Sequence, residues 1–196
     1  MDLKLLAWGL RRRAGPLPRL WLFTDRRRLA DPRASVADLP RGRAGVVLRH
    51  DDDPARTRLA MDLARICRAR RLVLVIAGDV RLAASVCAGV HLRGGHWPGV
   101  IRRPGTLTSS AHSATDLRRA RAVGADLVFL SPAFATATHP GARGLGPLRW
   151  SALARITRRG GGPAIAALGG LDGRTIQRLP PRLVHAAGAI AALSQG

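Results

Sequence analysis

A chain of 196 residues that is 46% hydrophobic, with no long polar tract, suits one globular domain with a sizeable core and excludes a disordered protein. Its formal charge of +21 is almost all arginine, since Lys4 is the only lysine. Such a charge steers anions toward the surface, whether phosphorylated metabolites, nucleic acid or anionic lipid. No membrane partner is expected, and against nucleic acid the arginines fall in short scattered groups (Arg11–Arg13, Arg26–Arg28, Arg70–Arg71, Arg102–Arg103, Arg118–Arg119, Arg158–Arg159) without a stacking motif, zinc knuckle or recognition-helix signature.

In chain order, Leu3 to Leu10 is too short to span a bilayer, and the arginines follow the apolar run instead of preceding it as in a secretory signal. Residues 1–18 are therefore expected to form an amphipathic helix and lead-in, and 19–196 a single domain of a cytoplasmic protein. Apolar runs then recur at Leu20–Thr24, Gly45–Arg49 and Leu72–Ile76, followed by shorter strand candidates at Gly89–Leu92 and Leu107–Ser110 and by runs at Leu127–Leu130, Ala164–Leu168 and Ala189–Leu193. Helical patterns lie between them. Arg56 to Arg70 follows Asp53-Pro54 and carries Leu59, Leu63 and Ile66 on one face, and residues 113–123 open on Ser113 as a candidate N-cap. Trp150–Ile156 and Gly173–Leu179 supply two more. Strands alternating with helices predict an α/β fold, a (β/α)8 TIM barrel, with the doubly wound open sheet as the alternative. The link from Arg93 to Thr106 has little helical pattern, and the sequence leaves no room for a final helix after Ser194. A homo-oligomer is one way to cover the barrel there. Cys67 and Cys87 have neither disulfide nor metal-ligand spacing and read as small core residues.

Chemistry in such a barrel sits at the C-terminal ends of the strands. Those ends carry Thr24-Asp25, Arg49-His50-Asp51, Ala77-Gly78-Asp79, Arg93-Gly94-Gly95-His96, Ser110-Ala111-His112, Ser131 to Gly146, Gly169-Gly170 and Ser194. The stretch SPAFATATHPGARGLG at 131–146 combines glycines, which let a backbone come close to a ligand, with hydroxyls and cations suited to a phosphate ester or pyrophosphate. Alternation within the strands places His91 inside its strand as a packing residue and points His50 away from Arg49.

Thr24-Asp25, GVVLR at 45–49, AGVHL at 88–92, SAHS at 110–113, the 131–146 stretch and AALGGLDGRT at 166–175 together resemble the thiamine phosphate synthases and the related thiazole tautomerases. The resemblance runs in order from about residue 20 to 194 and implies a (β/α)8 barrel of thiamin biosynthesis. A synthase of this kind is a transferase that couples a pyrimidine-methyl pyrophosphate to a thiazole phosphate with Mg2+ and releases pyrophosphate. By resemblance, Gly169, Gly170 and Ser194 hold the thiazole phosphate, while Arg49, Thr136, Thr138 and Gly146 contact substrate.

The departures are specific. Where the family ends its second strand Gln-x-Arg-x-Lys, this chain has Val47, Arg49 and Asp51. Where the third ends Asn-Asp, with a Mg2+ ligand, it has Ala77-Gly78, with Asp79 one residue later. The second metal Asp falls on His96, and Thr-Pro-Thr-Lys reads Thr136-Ala137-Thr138-His139. Asp51 and Asp79 are the candidates to rebuild a Mg2+ site, although three Asp before Pro54 also suit a helix N-terminus. The tautomerase reading needs no metal. It uses a His where this chain has Ser131, so His112 or His139 would move the proton. A member that binds a phosphate ester without turnover is the third reading.

Overall fold

The computed structural model describes residues 1–11, 16–96, 105–136, 144–158 and 161–194. Eight parallel strands close a barrel in sequence order: β1 (Leu20–Phe23), β2 (Ala44–Leu48), β3 (Val73–Ala77), β4 (Gly89–Leu92), β5 (Leu107–Ala111), β6 (Leu127–Leu130), β7 (Ala164–Leu168) and β8 (Ala186–Ala189). Leu20 pairs with both Ala44 and Ala187, which closes the ring through β1. The helices are α1 (Leu3–Leu10), α2 (Arg33–Ala37), α3 (Arg56–Arg70), α4 (Val80–Ser85), α5 (Ala114–Ala122) and α6 (Gly146–Arg158), with 3₁₀ turns at Thr175–Arg178 and Ala191–Leu193. The open-sheet alternative is excluded by the β1–β8 pairing.

The pleat divides the strand residues between two cores. Outward-facing Leu20, Leu22, Val46, Leu48, Leu74, Ile76, Val128 and Leu130 pack beneath the helices. Helix α3 meets them with Leu59, Ala60, Leu63, Ala64 and Cys67, an apolar stripe at helical spacing. Inward-facing Trp21, Phe23, Val47, Val75, Leu127, Phe129 and Ala166 fill the barrel. Phe23 and Phe129 meet edge to face at 4.7 Å, and Trp21 meets Phe129 at 5.6 Å. Such pairs add about 0.5–1.5 kcal/mol each beyond the area they bury. The two strands that flank β1 make room with glycine. A Cβ on Gly45 would lie 2.5 Å from the Trp21 ring, and one on Gly188 2.9 Å from Phe23.

Three expectations are revised. The eighth strand lies at 186–189 instead of 189–193, and Ala191–Leu193 is a 3₁₀ turn. Residues 173–179 hold only the short 3₁₀ turn at 175–178, not an α-helix. Cys67 is buried in the core, but Cys87 is exposed, in the turn between α4 and β4. The groove over β8 and β1 is covered by α1, within the same chain. Gly9 packs on Leu20 at the start of β1, Leu5 is fully buried, and the Asp2 amide donates to Ala192 O at 2.7 Å. Asp2 also caps α1, accepting from the amides of Lys4 and Leu5 through Oδ1 and of Gly173 through Oδ2. Burial raises the Asp2 carboxyl, but those three amides outweigh it and hold its pKa below the usual carboxylate value. Asp2→Ala is expected to lose about 1–3 kcal/mol, since it removes a helix cap and a tie to the loop after β7 together. A urea melt that leaves the midpoint unchanged would contradict this.

Candidate active site at the C-terminal rim

The rim has a cationic side after β1–β4 and an amide-rich side after β6–β8. On the cationic side, Thr24 organises the end of β2. Its Oγ1 accepts from the Arg49 amide at 3.0 Å and its hydroxyl donates to His50 Nδ1 at 2.9 Å, while His50 Nε2 donates to Ala30 O at 3.3 Å. Both ring nitrogens of His50 are thus spent on structure, outside the barrel, and Arg49 turns the other way. The Arg49 guanidinium lies over the Phe23 ring, donates to Thr24 O and pairs with Asp25 at 3.3 Å. Burial lowers its pKa from the ordinary value, opposed by Asp25 and Asp51.

Arg56, the first residue of α3, reaches across the same rim. Its Nη2 lies 3.3 Å from Asp51 Oδ1 and donates to Ala77 O at the end of β3, and its Nη1 lies 3.8 Å from Asp79 Oδ2. Arg93, after β4, pairs with Asp51 Oδ2. Asp79 Oδ1 accepts from the Leu82 amide at 2.9 Å and so caps α4. Every oxygen of the two carboxylates expected to hold Mg2+ therefore faces a protein donor. No group of three or more His, Cys, Asp or Glu among the described residues has a geometry that could hold a metal ion. A divalent cation needs several free oxygens at ~2.1 Å, and this donor set does not fit one. Sequence reading missed Arg56 and Arg93 as a pair, because only the fold brings residues 51, 56, 79 and 93 together.

His112 sits between the two sides, at the end of β5. Its Nδ1 donates to Ser131 O at 2.9 Å, since a carbonyl can only accept, and Ser131 Oγ lies 3.3 Å from the same nitrogen. That tautomer leaves the Nε2 lone pair on an exposed ring. The His112 amide donates to Asp116 Oδ2, as does the Ser113 hydroxyl, which also caps α5 by accepting from the Asp116 amide. Ser131 itself is buried, its amide bonded to Ala111 O, before a cis bond to Pro132.

On the amide-rich side, the loop after β6 folds over the loop after β7. The Ala133 and Phe134 amides donate to Leu168 O and Gly169 O, and the Leu145 and Gly146 amides to Pro132 O and Ala133 O. Gly169 and Gly170 have φ of +91° and +62°. Their own amides donate to no other described residue, whereas the Gly170 carbonyl accepts from Thr175 Oγ1 at 3.0 Å. Thr136 is half-buried on this loop. Thr138 and His139 lie outside the described residues. Ser194 follows the last 3₁₀ turn instead of ending a strand, and both its amide and its hydroxyl donate to Ala191 O.

One residue before the end of β4, level with Ala77 at the end of β3, His91 is buried inside the barrel. It shares a hydrogen bond with Thr108 Oγ1 at 2.9 Å and meets Phe23 and Phe129 edge to face. Burial pushes its pKa down to about 3, with Arg49 and Arg93 adding to the shift. It is a neutral packing residue, as its strand position implies.

Fold and rim together define a (β/α)8 barrel whose mouth gathers glycine amides and arginines at the strands' C-terminal ends. The thiamine monophosphate synthase family model matches residues 21–194, and the chain belongs to that family, whose role is in thiamin biosynthesis. "Putative thiamine-phosphate synthase 2" of Aquifex aeolicus (strain VF5) is 31% identical over 170 residues, spanning 82% of this chain and 89% of the relative. Among solved structures, the thiamine phosphate pyrophosphorylase of Pyrococcus furiosus superimposes with a TM-score of 0.70 at 23% identity, covering 89% of this chain and 86% of that one. The Bacteroides thetaiotaomicron thiamine phosphate pyrophosphorylase gives 0.59 at 18% identity, over 90% and 84%. No helix among the described residues is long and apolar enough to cross a membrane.

Proposed function

We propose that the chain binds a thiazole phosphate at the rim and acts on it in thiamin biosynthesis as a transferase of the thiamine phosphate synthase type. The observation that carries the binding is the pair Gly169-Gly170. Consecutive amides without an acceptor among the described residues, on backbone fixed by the overlying loop, form a concavity of partial positive charge that suits phosphate oxygens. Thr136 and Gly146 flank it, and Thr138, His139 and Ser194 complete the residues assigned to substrate on the family's pattern. Arg49, held by Asp25 over Phe23, supplies a cation for the anionic partner. The chain is expected to work in the cytoplasm.

The deciding experiment is titration with thiazole phosphate and then pyrimidine-methyl pyrophosphate, with Mg2+ and with EDTA, following thiamine phosphate. Condensation predicts product; absence of thiazole phosphate binding would overturn the whole reading.

The His112 tautomer favours a second reaction on the same ligand. With Nδ1–H fixed on Ser131 O, the free Nε2 is placed to take a proton from a thiazole carbon and return it elsewhere, a tautomerisation that needs no metal. In this reading His112→Ala loses about a hundredfold or more in kcat while thiazole phosphate still binds. Equal kcat in the parent and the variant would remove His112 from the chemistry.

A further inference from the structure

We infer that the Arg56 guanidinium is a built-in cation standing between Asp51 and Asp79 in the place of a divalent metal, so that this mouth takes a phosphate or pyrophosphate ester without a metal ion. The inference rests on the reading of the rim as a phosphate-ester site.

The sequence that builds this arrangement is short. Asp51 follows β2 by three residues, and the turn through Asp53-Pro54 returns the chain so that the Arg56 amide donates to Asp53 O at 2.9 Å. This starts α3 with the Arg56 side chain over the end of β3, where Nη2 is fastened to Ala77 O. The guanidinium is then clamped from both sides by carboxylates of two different loops, Asp51 after β2 and Asp79 after β3. Its side chain is only 16% exposed, whereas those of Asp51 and Asp79 are 35% and 38% exposed. The positive charge is thus the inner member of the cluster and the carboxylates are the outer ones. An exposed arginine that happened to meet two acids would show the reverse order. Its Nε is buried and has no partner among the described residues, so the side chain is held by the ion pairs and the Ala77 carbonyl.

A guanidinium supplies one fixed charge and directional N–H donors, where a metal supplies two charges and open coordination positions. Arg93 adds a second cation through Asp51, and Arg49 a third beside Asp25. A phosphate oxygen that reaches Arg93 competes with one partly exposed carboxylate, and no ion has to be recruited from solution.

The test reads metal directly, by Mn2+ titration followed by electron paramagnetic resonance, with pyrophosphate binding followed by calorimetry in EDTA. The parent protein is expected to show no stoichiometric Mn2+ site and to bind pyrophosphate equally with and without EDTA. Arg56→Ala and Arg56→Gln, checked for native circular dichroism, are expected to gain a Mn2+ site that Asp79→Asn removes again. A stoichiometric Mn2+ site in the parent, abolished by Asp51→Asn or Asp79→Asn, would overturn the inference. So would failure of both folded Arg56 variants to gain one, because the carboxylates would then not be a cation site that arginine fills. Pyrophosphate binding that disappears in EDTA would also overturn it. None of the Mn2+ results depends on thiazole phosphate, so loss of the functional reading is seen separately, in the thiazole phosphate titration.

Discussion

Alanine in place of Gly170 is expected to cost the fold about 2–4 kcal/mol and to weaken thiazole phosphate binding by at least about tenfold. Two effects add. The φ of +62° is strained for an L side chain, worth about 1 kcal/mol. The larger effect is steric. A Cβ at this position would lie 2.4 Å from Ala135 O and 2.9 Å from Phe134 Cβ, and the carbonyl belongs to backbone, which cannot rotate away as a side-chain tip does. Phe134 is itself fixed, with its amide on Gly169 O and the Arg178 guanidinium over its ring. The loop after β6 must therefore lift, and the same loop carries Ser131 and Thr136. Gly42→Ala is the control, because Gly42 has φ of +67° and a methyl group added there would meet nothing within 4 Å. It should show the backbone strain alone and leave ligand binding intact. Urea midpoints and calorimetric titrations of the two variants check this. Equal stability and affinity in both would mean that the loop does not rest on Gly170.

The barrel was legible because most strands are short apolar runs bounded by polar rim residues, with β5 (LTSSA) the polar exception, and seven of the eight strands fall where the candidate segments lie. The eighth slipped because residues 186–193 read AAGAIAAL, a run of small apolar residues in which no side chain distinguishes one register from another. The β1–β8 pairing settles it, since Leu20 must face Ala187 to close the ring. Helices α2 and α4 escaped notice because five or six residues are too few to display a helical period. At the rim, the glycines and His112 stand beside their strands in sequence and could be read there. Arg56 could not, since it looks like one more charge on a helix that starts correctly. Its role comes from reaching back to Asp51 and across to Asp79, which is a property of the closed barrel and not of local pattern.

His91 should make the protein lose stability as pH falls from about 6.5 toward 4, with a slope on the order of 1 kcal/mol per pH unit. In the unfolded chain an imidazole takes up a proton near pH 6.5. In the folded barrel burial holds its pKa at about 3, with Arg49 and Arg93 opposing a further positive charge. Between those two values the unfolded state binds a proton that the native state refuses, so stability rises with pH through this window and is flat with respect to His91 above it. The acids whose pKa values the fold lowers, Asp2, Asp116 and Asp172 among them, act in a different window. They contribute stability above the ordinary carboxylate range and lose it only below about pH 4. The interval from about 6.5 to about 4.5 thus separates His91 from those acids. His91→Asn keeps a polar partner for Thr108 and removes the titrating ring, so its urea-derived stability should be lower overall but flatter with pH. Parallel curves for the parent and the variant would show that His91 titrates normally and that the interior admits water. A flattened curve would have a consequence for the chemistry. A ring that stays neutral to about pH 3 is too weak a base to take a proton from a substrate near neutrality, and the tautomerisation proposed above would then have to use another histidine, His112 or His139.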